Sequence, residues 1–423
     1  MPAAEAARPI SPAAAQELFA PLSFHAHVAL AVSGGSDSTA LMWLVRRWAL
    51  AANDPPKISV LTVDHGLRPE ARAECATVAR WAGALGLAAH ILTWTGRKPA
   101  SGLQAKARAM RYGLLNDWCR AHGASLLVTA HTLEDQAETV LMRLARGSGI
   151  KGLSGMRADE TGDVLLERPL LTVSRAELRA TLRAADHPWI DDPSNDDDQF
   201  ERVRLRKAAM ALNELGLTSR AIARSARRLE RALVALEGMA GDFMARHVDV
   251  RPEGFAMIDI GAFGRLDEEI AIQVLERLLE RLGGGSSSPR LAAVEALQHW
   301  LRRGDSQART LSGCRIARRK RHLLIGREPG RISLAPVVIT PGRSVLWDNR
   351  FTVTLAGADR PCAIVPVKAL NLARRSDVPA FVQESLPAIL AQGEIAAVPS
   401  LGIVGKAAPP GLQARADFRK IGL

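Results

Sequence analysis

Four short apolar runs alternate with longer helical stretches over the first 190 residues, and this alternation limits the fold more than any other feature of the chain. Each run ends in polar residues, as buried strands of a parallel sheet often do. The runs are HVALAVS, KISVLTVD, AHILTWT and ASLLVTAH. Helical spacing covers about residues 37–51, 68–86, 101–122 and 133–146. The pattern predicts an α/β domain with a doubly wound, mostly parallel sheet.

Polar residues collect where these runs end. Ser33–Ser38 follow the first run, Asp64 and His65 follow the second, and His131 ends the fourth. Ligands of doubly wound sheets bind beyond the C-terminal ends of the strands. We therefore expect one ligand site at this edge of the sheet.

Beyond this domain the pattern changes. The acidic, turn-rich segment DDPSNDDDQF at residues 191–200 marks a boundary, and a helical region with the flexible stretch GGGSSSPR at 283–290 follows it. From about residue 331, short β-like runs alternate with Pro and Gly turns. We predict a catalytic domain at 1–207, a mainly helical domain at 208–330 and a small mixed α+β domain at 331–423.

Charge is divided unevenly between the two halves. Residues 1–200 hold 21 Lys and Arg against 22 Asp and Glu, whereas residues 201–423 hold 35 against 22. A basic half favours a polyanionic partner, most often nucleic acid, although a solubilising surface is the plainer alternative. Two basic stretches stand out, Arg220–Arg231 and RIARRKRH, and the second contains Arg318, Arg319 and Arg321.

The remaining composition points to a reducing compartment. The four cysteines are far apart and form no CxxC pair, so neither a disulfide framework nor a cysteine zinc site is expected. No apolar run reaches the length of a membrane span, and the N-terminus lacks the features of a signal peptide. We therefore expect a cytoplasmic protein.

The loop AVSGGSDSTALMWL at residues 31–44 has the composition of a phosphate site. A strand that ends in glycines and opens a helix presents backbone N–H groups to an anion, and serine hydroxyls add donors. The loop lacks the GK[ST] of a Walker loop and the dinucleotide pattern GxGxxG. Asp37 would repel phosphate unless a cation lay between them, which predicts Mg²⁺. The alternative is an ordinary serine cap with an acid in the first helical turn.

This string matches the SGGxDS signature and so resembles the PP-loop, or N-type ATP pyrophosphatase, family. The resemblance implies ATP as cofactor, cleaved between the α and β phosphates, with adenylation of a substrate oxygen. The residues expected to bind ATP are Ser33, Gly34, Gly35, Ser36, Asp37, Ser38, Asp64 and His65.

Three further segments carry charge at regular spacing. LQAKARAMRYGLL places Arg108 and Arg111 on one helix face, where they suit phosphate or RNA backbone. TAHTLEDQAET brings together three acids, Glu134, Asp135 and Glu138. Clustered acids need a metal or an ammonium group, unless they form a solvated first helical turn. Finally, Arg202, Arg204 and Arg206 follow the acidic boundary segment.

Taken in order, these motifs resemble the tRNA(Ile)-lysidine synthetase family over about residues 26–207. The resemblance implies a tRNA(Ile) with a CAU anticodon and L-lysine as substrates, and it allows a homodimer. It implies Asp37, Asp135 and Glu138 as catalytic residues, Asp37 as the metal ligand, and the three acids as the lysine site. The expected tRNA-binding residues are Arg108, Arg111, Arg202, Arg204, Arg206, Arg318, Arg319 and Arg321.

Two positions depart from the family motifs. The usual DD pair is Glu134–Asp135 here, and the RNxxR pattern has Val203 in place of its asparagine. Two alternative functions remain at this point: a PP-loop tRNA thiolase and a non-catalytic RNA-binding protein. The absence of CxxC weighs against the first, and the intact loop and acids weigh against the second.

Overall fold

The computed structural model describes two compact units, Met1–Arg231 and Ala232–Leu423, which we treat separately. The described residues are 7–67, 70–96, 98, 103–161, 164–191, 201–285, 288–305, 307–370, 372–373 and 378–419, with side chains omitted at 103–105, 159–161 and 201–203.

The first unit is built on a six-stranded sheet with the order β3-β2-β1-β4-β6-β5. All neighbouring strands are parallel except β5, which pairs antiparallel with β6 at one edge. The strands are β1 (His27–Ala31), β2 (Lys57–Asp64), β3 (Ala88–Thr93), β4 (Leu126–Val128), β5 (Asp159–Thr161) and β6 (Val164–Glu167). The predicted doubly wound, mostly parallel α/β fold is confirmed.

Helices cover the sheet and connect its strands. They are α1 (Pro12–Phe19), α2 (Ser36–Ala51), α3 (Ala71–Ala84), α4 (Leu103–His122), α5 (Leu133–Ala145), α6 (Ile150–Leu153), α7 (Arg175–Ala184) and α8 (Glu201–Glu214), followed by α9 (Ser219–His247), which continues into the second unit. Val28 and Leu30 of β1 pack with Leu41 and Val45 of α2, all with no exposed surface. This core fixes the start of α2 at the C-terminal end of β1.

Two helices of the first unit begin with capping boxes. The Thr132 hydroxyl accepts a hydrogen bond from Asp135 N, while the Asp135 carboxylate accepts one from Thr132 N, at the start of α5. Ser174 and Glu177 form the same reciprocal pair at the start of α7. Such boxes satisfy N–H groups that a helix start leaves unpaired, and they fix where each helix begins.

Over its described residues, the second unit contains three antiparallel sheets, ordered β7-β8-β11-β10-β9, β12-β15-β16-β17-β18 and β13-β14-β19. Its remaining helices are α10 (Ile260–Phe263), α11 (Glu268–Leu282), α12 (Leu291–Arg303) and α13 (Ala380–Gln383). Its strands are β7 (Val248–Arg251), β8 (Phe255–Asp259), β9 (Arg309–Leu311), β10 (Cys314–Arg319), β11 (His322–Arg327), β12 (Val337–Ile339), β13 (Ser344–Trp347), β14 (Phe351–Ala356), β15 (Cys362–Pro366), β16 (Pro387–Ala391), β17 (Glu394–Val398), β18 (Ile403–Val404) and β19 (Gln413–Phe418).

The range predicted as mainly helical, 208–330, thus also contains the sheet of β7–β11. The β-like character expected beyond residue 331 is present in β12–β19. The two boundaries between the three predicted domains stay a prediction. Within the described part of the chain, no helix is long and apolar enough to cross a membrane.

Candidate active site

A cavity of about 870 Å³ opens at the C-terminal ends of β1, β2 and β4. Residues from distant parts of the first unit line it together: Ser33, Gly35, Ser36, Asp37, Ser38, His65, Arg111, His131, Arg175, Arg179, Ile190 and Arg206. The structure therefore brings the serine loop, His65 and His131 to one site, as their positions after successive strands predict.

The loop between β1 and α2 is shaped by its own side chains. Ser33 N donates to Ser38 Oγ at 3.1 Å, and the Thr39 hydroxyl donates to Gly34 O at 3.0 Å. Gly34 has φ +91°, and Ile190 N donates to its carbonyl at 2.9 Å. A Cβ at Gly34 would lie 2.8 Å from Ile190 Cδ1, so the conformation and the close approach both require glycine.

Asp37 lies in the first turn of α2, facing the cavity. Its Oδ1 accepts from the Ser36 hydroxyl at 3.2 Å, and its Oδ2 lies 3.6 Å from Arg175 Nε. Burial raises the pKa of the Asp37 carboxyl, and the nearby Arg175 offsets this only in part. A carboxylate in this position gains by contact with a further cation.

Two of the three acids of α5 contact the guanidinium of Arg175. Arg175 Nη2 lies 2.5 Å from Asp135 Oδ1, and Arg175 Nη1 lies 3.2 Å from Glu138 Oε1. Glu134 contacts the backbone at the start of α7 instead, where its Oε2 accepts a hydrogen bond from Arg175 N at 3.0 Å. The cation that the clustered acids require is thus, in part, an arginine of this chain.

Arg175 keeps its charge in this cluster. Although burial disfavours the charged guanidinium, Asp135 and Glu138 raise the pKa of Arg175 above its ordinary value. Burial also opposes ionisation of Asp135, but Arg175 and the hydrogen bond from Thr132 N outweigh it and lower the pKa of Asp135. Asp135 is therefore an ionised group at neutral pH.

Glu138 retains an oxygen for another partner. Its residue is only 6% exposed, and its Oε1 accepts from both Arg175 and Arg206, the latter at 2.9 Å. Its Oε2 is buried and has no hydrogen-bond partner within the described residues. A buried carboxylate oxygen left in this state is costly, and a donor arriving with a ligand would relieve the cost.

Two histidines near the cavity are held neutral. Burial lowers the pKa of His131 to about 4, and Asp135 offsets this only in part. Burial also lowers the pKa of His65, with Arg111 and Lys98 adding to the effect. His65 Nδ1 is buried without a partner among the residues described, so this ring still has an unused polar atom.

Other predicted site residues occupy varied positions. Asp64 is buried, and its Oδ1 accepts from Gly66 N at 2.8 Å, so its carboxylate shapes the loop after β2. The guanidinium carbons of Arg108 and Arg111 lie 5.1 and 5.3 Å from the ring centre of Tyr112. Arg204 is exposed on α8, whereas the side chain of Arg202 lies outside the described residues.

The predicted basic cluster of the second unit lies on the hairpin of β10 and β11. Arg319 is exposed, and Arg321 pairs with Asp259 at 2.9 Å while remaining 78% exposed. Arg318 is partly buried and donates to the carbonyl of Leu301 in the last turn of α12. Arg318 therefore also helps to hold this helix end.

The sequence patterns did not single out Arg175 and Arg179, although both line the cavity. Their signal was present in SRAEL, where Ser174 and Glu177 form a capping-box pattern that places Arg175 at a helix start. That pattern gives a position along the chain. It does not indicate which neighbouring helix supplies the carboxylates.

Comparison with known proteins agrees with this geometry. A family model for the PP-loop domain matches residues 9–212. The chain is 45% identical to a protein named tRNA(Ile)-lysidine synthase from a Bradyrhizobium species, over 72% of this chain and 86% of that one. It is 36% identical to a Ruegeria pomeroyi protein of the same name, over 88% of each chain. The chain belongs to the tRNA(Ile)-lysidine synthase family.

Membership of this family confirms the resemblance seen in the motifs and makes the protein an ATP-using ligase that forms a C–N bond. A solved U34-tRNA thiolase from Methanococcus maripaludis is a more distant likeness, with 17% identity, a TM-score of 0.45, and coverage of 51% of this chain and 78% of that one. Within the described residues, no group of three or more His, Cys, Asp or Glu side chains could hold a metal ion.

Proposed function

We propose that this protein joins L-lysine to C2 of the wobble cytidine in a tRNA(Ile) with a CAU anticodon, converting ATP to AMP and pyrophosphate. The product base, lysidine, pairs with A instead of G. The observation that carries the proposal is the acid cluster of α5, with an ionised Asp135 and an unpartnered Glu138 oxygen, which Arg175 connects to Asp37 of the phosphate loop. A cytoplasmic location belongs to the same proposal, which is also compatible with a homodimer.

Asp37 has the chemistry expected of a magnesium ligand. Its carboxylate faces the cavity, is incompletely neutralised and lies among serine hydroxyls, and Mg²⁺ prefers such hard oxygen atoms. Magnesium sites often take one or two protein carboxylates and complete their shell with phosphates and water. When bound, the ion would neutralise charge on the phosphates.

In the first step, the loop of residues 33–38 holds the phosphates with backbone N–H groups and hydroxyls. The C2 carbonyl oxygen of the cytidine attacks the α-phosphorus and forms a new P–O bond. The bond from this phosphorus to the bridging oxygen breaks, and its electron pair leaves with pyrophosphate. The residues of the loop act here by positioning and by stabilising charge.

In the second step, the ammonium group of lysine first loses a proton, and the neutral ε-amine nitrogen then attacks C2 of the adenylated cytidine. The C2–O bond breaks, its electron pair leaves with AMP, and the nitrogen releases a second proton to water. Lysine's side chain carries a proton at neutral pH, since its ordinary pKa is about 10.4. We assign Asp135 to holding the ammonium group, because this carboxylate stays ionised, and Glu138 Oε2 to accepting the proton.

The tRNA would be held by the exposed arginines and read in the cavity of the first unit. On α9, the side chains of Arg220, Arg224, Arg227, Arg228 and Arg231 are exposed, while Ile222 and Leu233 are buried. Contacts of arginine with phosphates position a nucleic acid, whereas contacts with a base select it.

Mass analysis of tRNA(Ile) nucleosides after incubation with ATP and lysine tests the proposal. Lysidine should form only when both are present, with one pyrophosphate released for each base modified. A sulfur-containing base formed with a sulfur donor would instead indicate a thiolase. Tight tRNA binding without any product would indicate an RNA-binding protein.

A further inference from the structure

Helix α7 directs two arginines toward the active site. Arg175 and Arg179 are four residues apart, so they share one face of the helix. Both side chains line the 870 Å³ cavity. Their partners differ, however. Arg175 lies among Asp37, Asp135 and Glu138, whereas Arg179 Nε donates to the Ser36 hydroxyl at 3.4 Å.

The two guanidinium groups therefore differ in how far neighbouring carboxylates neutralise their charge. The carboxylates around Arg175 compensate its charge. Among the described residues, no carboxylate forms an ion pair with Arg179, whose Nε donates instead to the neutral hydroxyl of Ser36. Arg206, another cation of the cavity, is already paired with Glu138. Arg179 is thus a cation that remains able to bind an anion.

Arg179 supplies a positive charge that the phosphate loop itself lacks. Residues 33–38 contain a carboxylate and no lysine or arginine, so the phosphate loop supplies no positive side chain of its own. Ser36, the partner of Arg179, is the first residue of α2, where backbone N–H groups without helical partners attract anions. An anion bound at this helix start would therefore also lie near Arg179.

We propose that Arg179 binds the β and γ phosphates of ATP, the part that leaves as pyrophosphate. The inference rests on the proposed function and adds a phosphate ligand to it. The two terminal phosphates carry most of the charge of ATP, so the helix start and a planar guanidinium fork suit them best. When the bond between the α-phosphorus and the bridging oxygen breaks, that oxygen keeps the electron pair. The charge gained by pyrophosphate would then be stabilised by Arg179.

Binding measurements on the full chain separate this role from a structural one. We would titrate wild type, Arg179→Gln and Arg179→Lys with ATP, inorganic pyrophosphate and AMP, each with Mg²⁺. Arg179→Gln should weaken ATP and pyrophosphate binding by about 10- to 100-fold, because a charge-assisted contact is lost. AMP, which lacks both terminal phosphates, should bind as before. Arg179→Lys should recover part of the loss.

Arg183→Gln is the matched control. Arg183 is exposed one turn further along α7, with its guanidinium carbon 6.0 Å from the ring centre of Trp189, and it does not line the cavity. This variant should bind all three ligands like wild type. Wild-type pyrophosphate affinity in Arg179→Gln, or an equal loss for ATP and AMP, would overturn the inference. If Arg179→Gln does not fold, the same comparison of pyrophosphate with AMP in Arg179→Lys decides.

The two proposals fail in different ways. A wild-type protein that binds pyrophosphate through Arg179 but makes no lysidine would overturn the proposed function and leave the assignment of Arg179 intact. Lysidine formation that is unaffected in Arg179→Gln, together with unchanged pyrophosphate affinity, would overturn only the assignment of Arg179.

Discussion

Replacement of Asp37 should impair catalysis while leaving the fold intact. Asp37→Asn keeps the size of the side chain and removes the charge, so a magnesium ligand is weakened while the fold is kept. Metal stabilisation of transferring phosphates contributes several kcal/mol, so adenylation should fall by at least about 10³-fold. Pyrophosphate release and thermal melting measure the two effects. Near-normal release from a folded variant would remove Asp37 from the metal site.

Glu138→Gln is the better probe of the lysine site than any change at Asp135. Asp135 also caps α5, so its removal would cost about 1 kcal/mol of helix stability in addition to any effect on lysine. Glu138→Gln should lower kcat for the lysine step by about 10²- to 10⁴-fold, because the proton acceptor is lost, and should leave adenylation of the tRNA in the absence of lysine nearly unchanged. The exposed Asp117→Asn serves as control. An unchanged rate of the lysine step in Glu138→Gln would contradict the role assigned to Glu138.

Single residues also show which parts of the candidate site could be predicted from sequence patterns. The acids at 134, 135 and 138 were recognisable because helical spacing puts them close together. Their counter-charge, Arg175, comes from a helix that begins some 40 residues later, and no local pattern connects the two. Glu134, the departure from the usual aspartate, reaches the backbone N–H of Arg175.

At the other end of the sheet, His27 of β1 and His90 of β3 lie in a cluster of rings that should make stability depend on pH. His27 is buried, donating to or accepting from Ser59 Oγ at 2.9 Å, and His90 lies 4.7 Å from Trp118 between ring centres. Burial lowers the pKa of both rings. Below the ordinary pKa of about 6.5, the unfolded chain therefore binds more protons than the folded one, and stability falls as the pH falls.

Urea unfolding at pH 7.5 and 5.5 measures this effect. The midpoint should be lower at pH 5.5, and a folded His27→Asn variant should show a smaller difference between the two conditions. A midpoint in wild type that does not change over this range would contradict the prediction.

Strands that are buried on both faces were predictable from the sequence, whereas strands rich in charged residues were missed. β1, β2 and β4 are largely apolar, because helices cover both faces of a parallel sheet. In contrast, CRIARR in β10 alternates buried Cys314 and Ile316 with arginines. The arginines predicted a basic surface, so the strand alternation was not recognised. The strand β5 was missed because DET contains two acids and no apolar residue.

For the molecule as a whole, the uneven charge predicts how tRNA binding should respond to salt. Phosphate contacts release counterions, so affinity should fall steeply between roughly 50 and 200 mM salt. The triple variant Arg224→Gln, Arg228→Gln, Arg231→Gln should weaken binding. It should also reduce the slope of log K against log salt by about one for each phosphate contact removed. Filter binding over this salt range measures both.

The hairpin of β10 and β11 needs a different design. Arg318 supports the end of α12, so a test of tRNA binding should change only Arg319 and Arg321. If the double variant and the α9 triple variant both bind tRNA with wild-type affinity and slope, the basic surface serves solubility instead. The uneven charge was visible in the sequence, whereas the structural use of Arg318 was not.

The contact of Gly34 with Ile190 limits how this chain can change over evolutionary time. Shortening Ile190 to alanine would remove the clash with a side chain at position 34, but the positive φ of 91° would still disfavour any residue other than glycine. A second-site substitution at position 190 therefore cannot rescue a lost glycine. Genetic selection for suppressors of Gly34→Ala should return the glycine itself, while position 190 remains free to vary among smaller apolar residues.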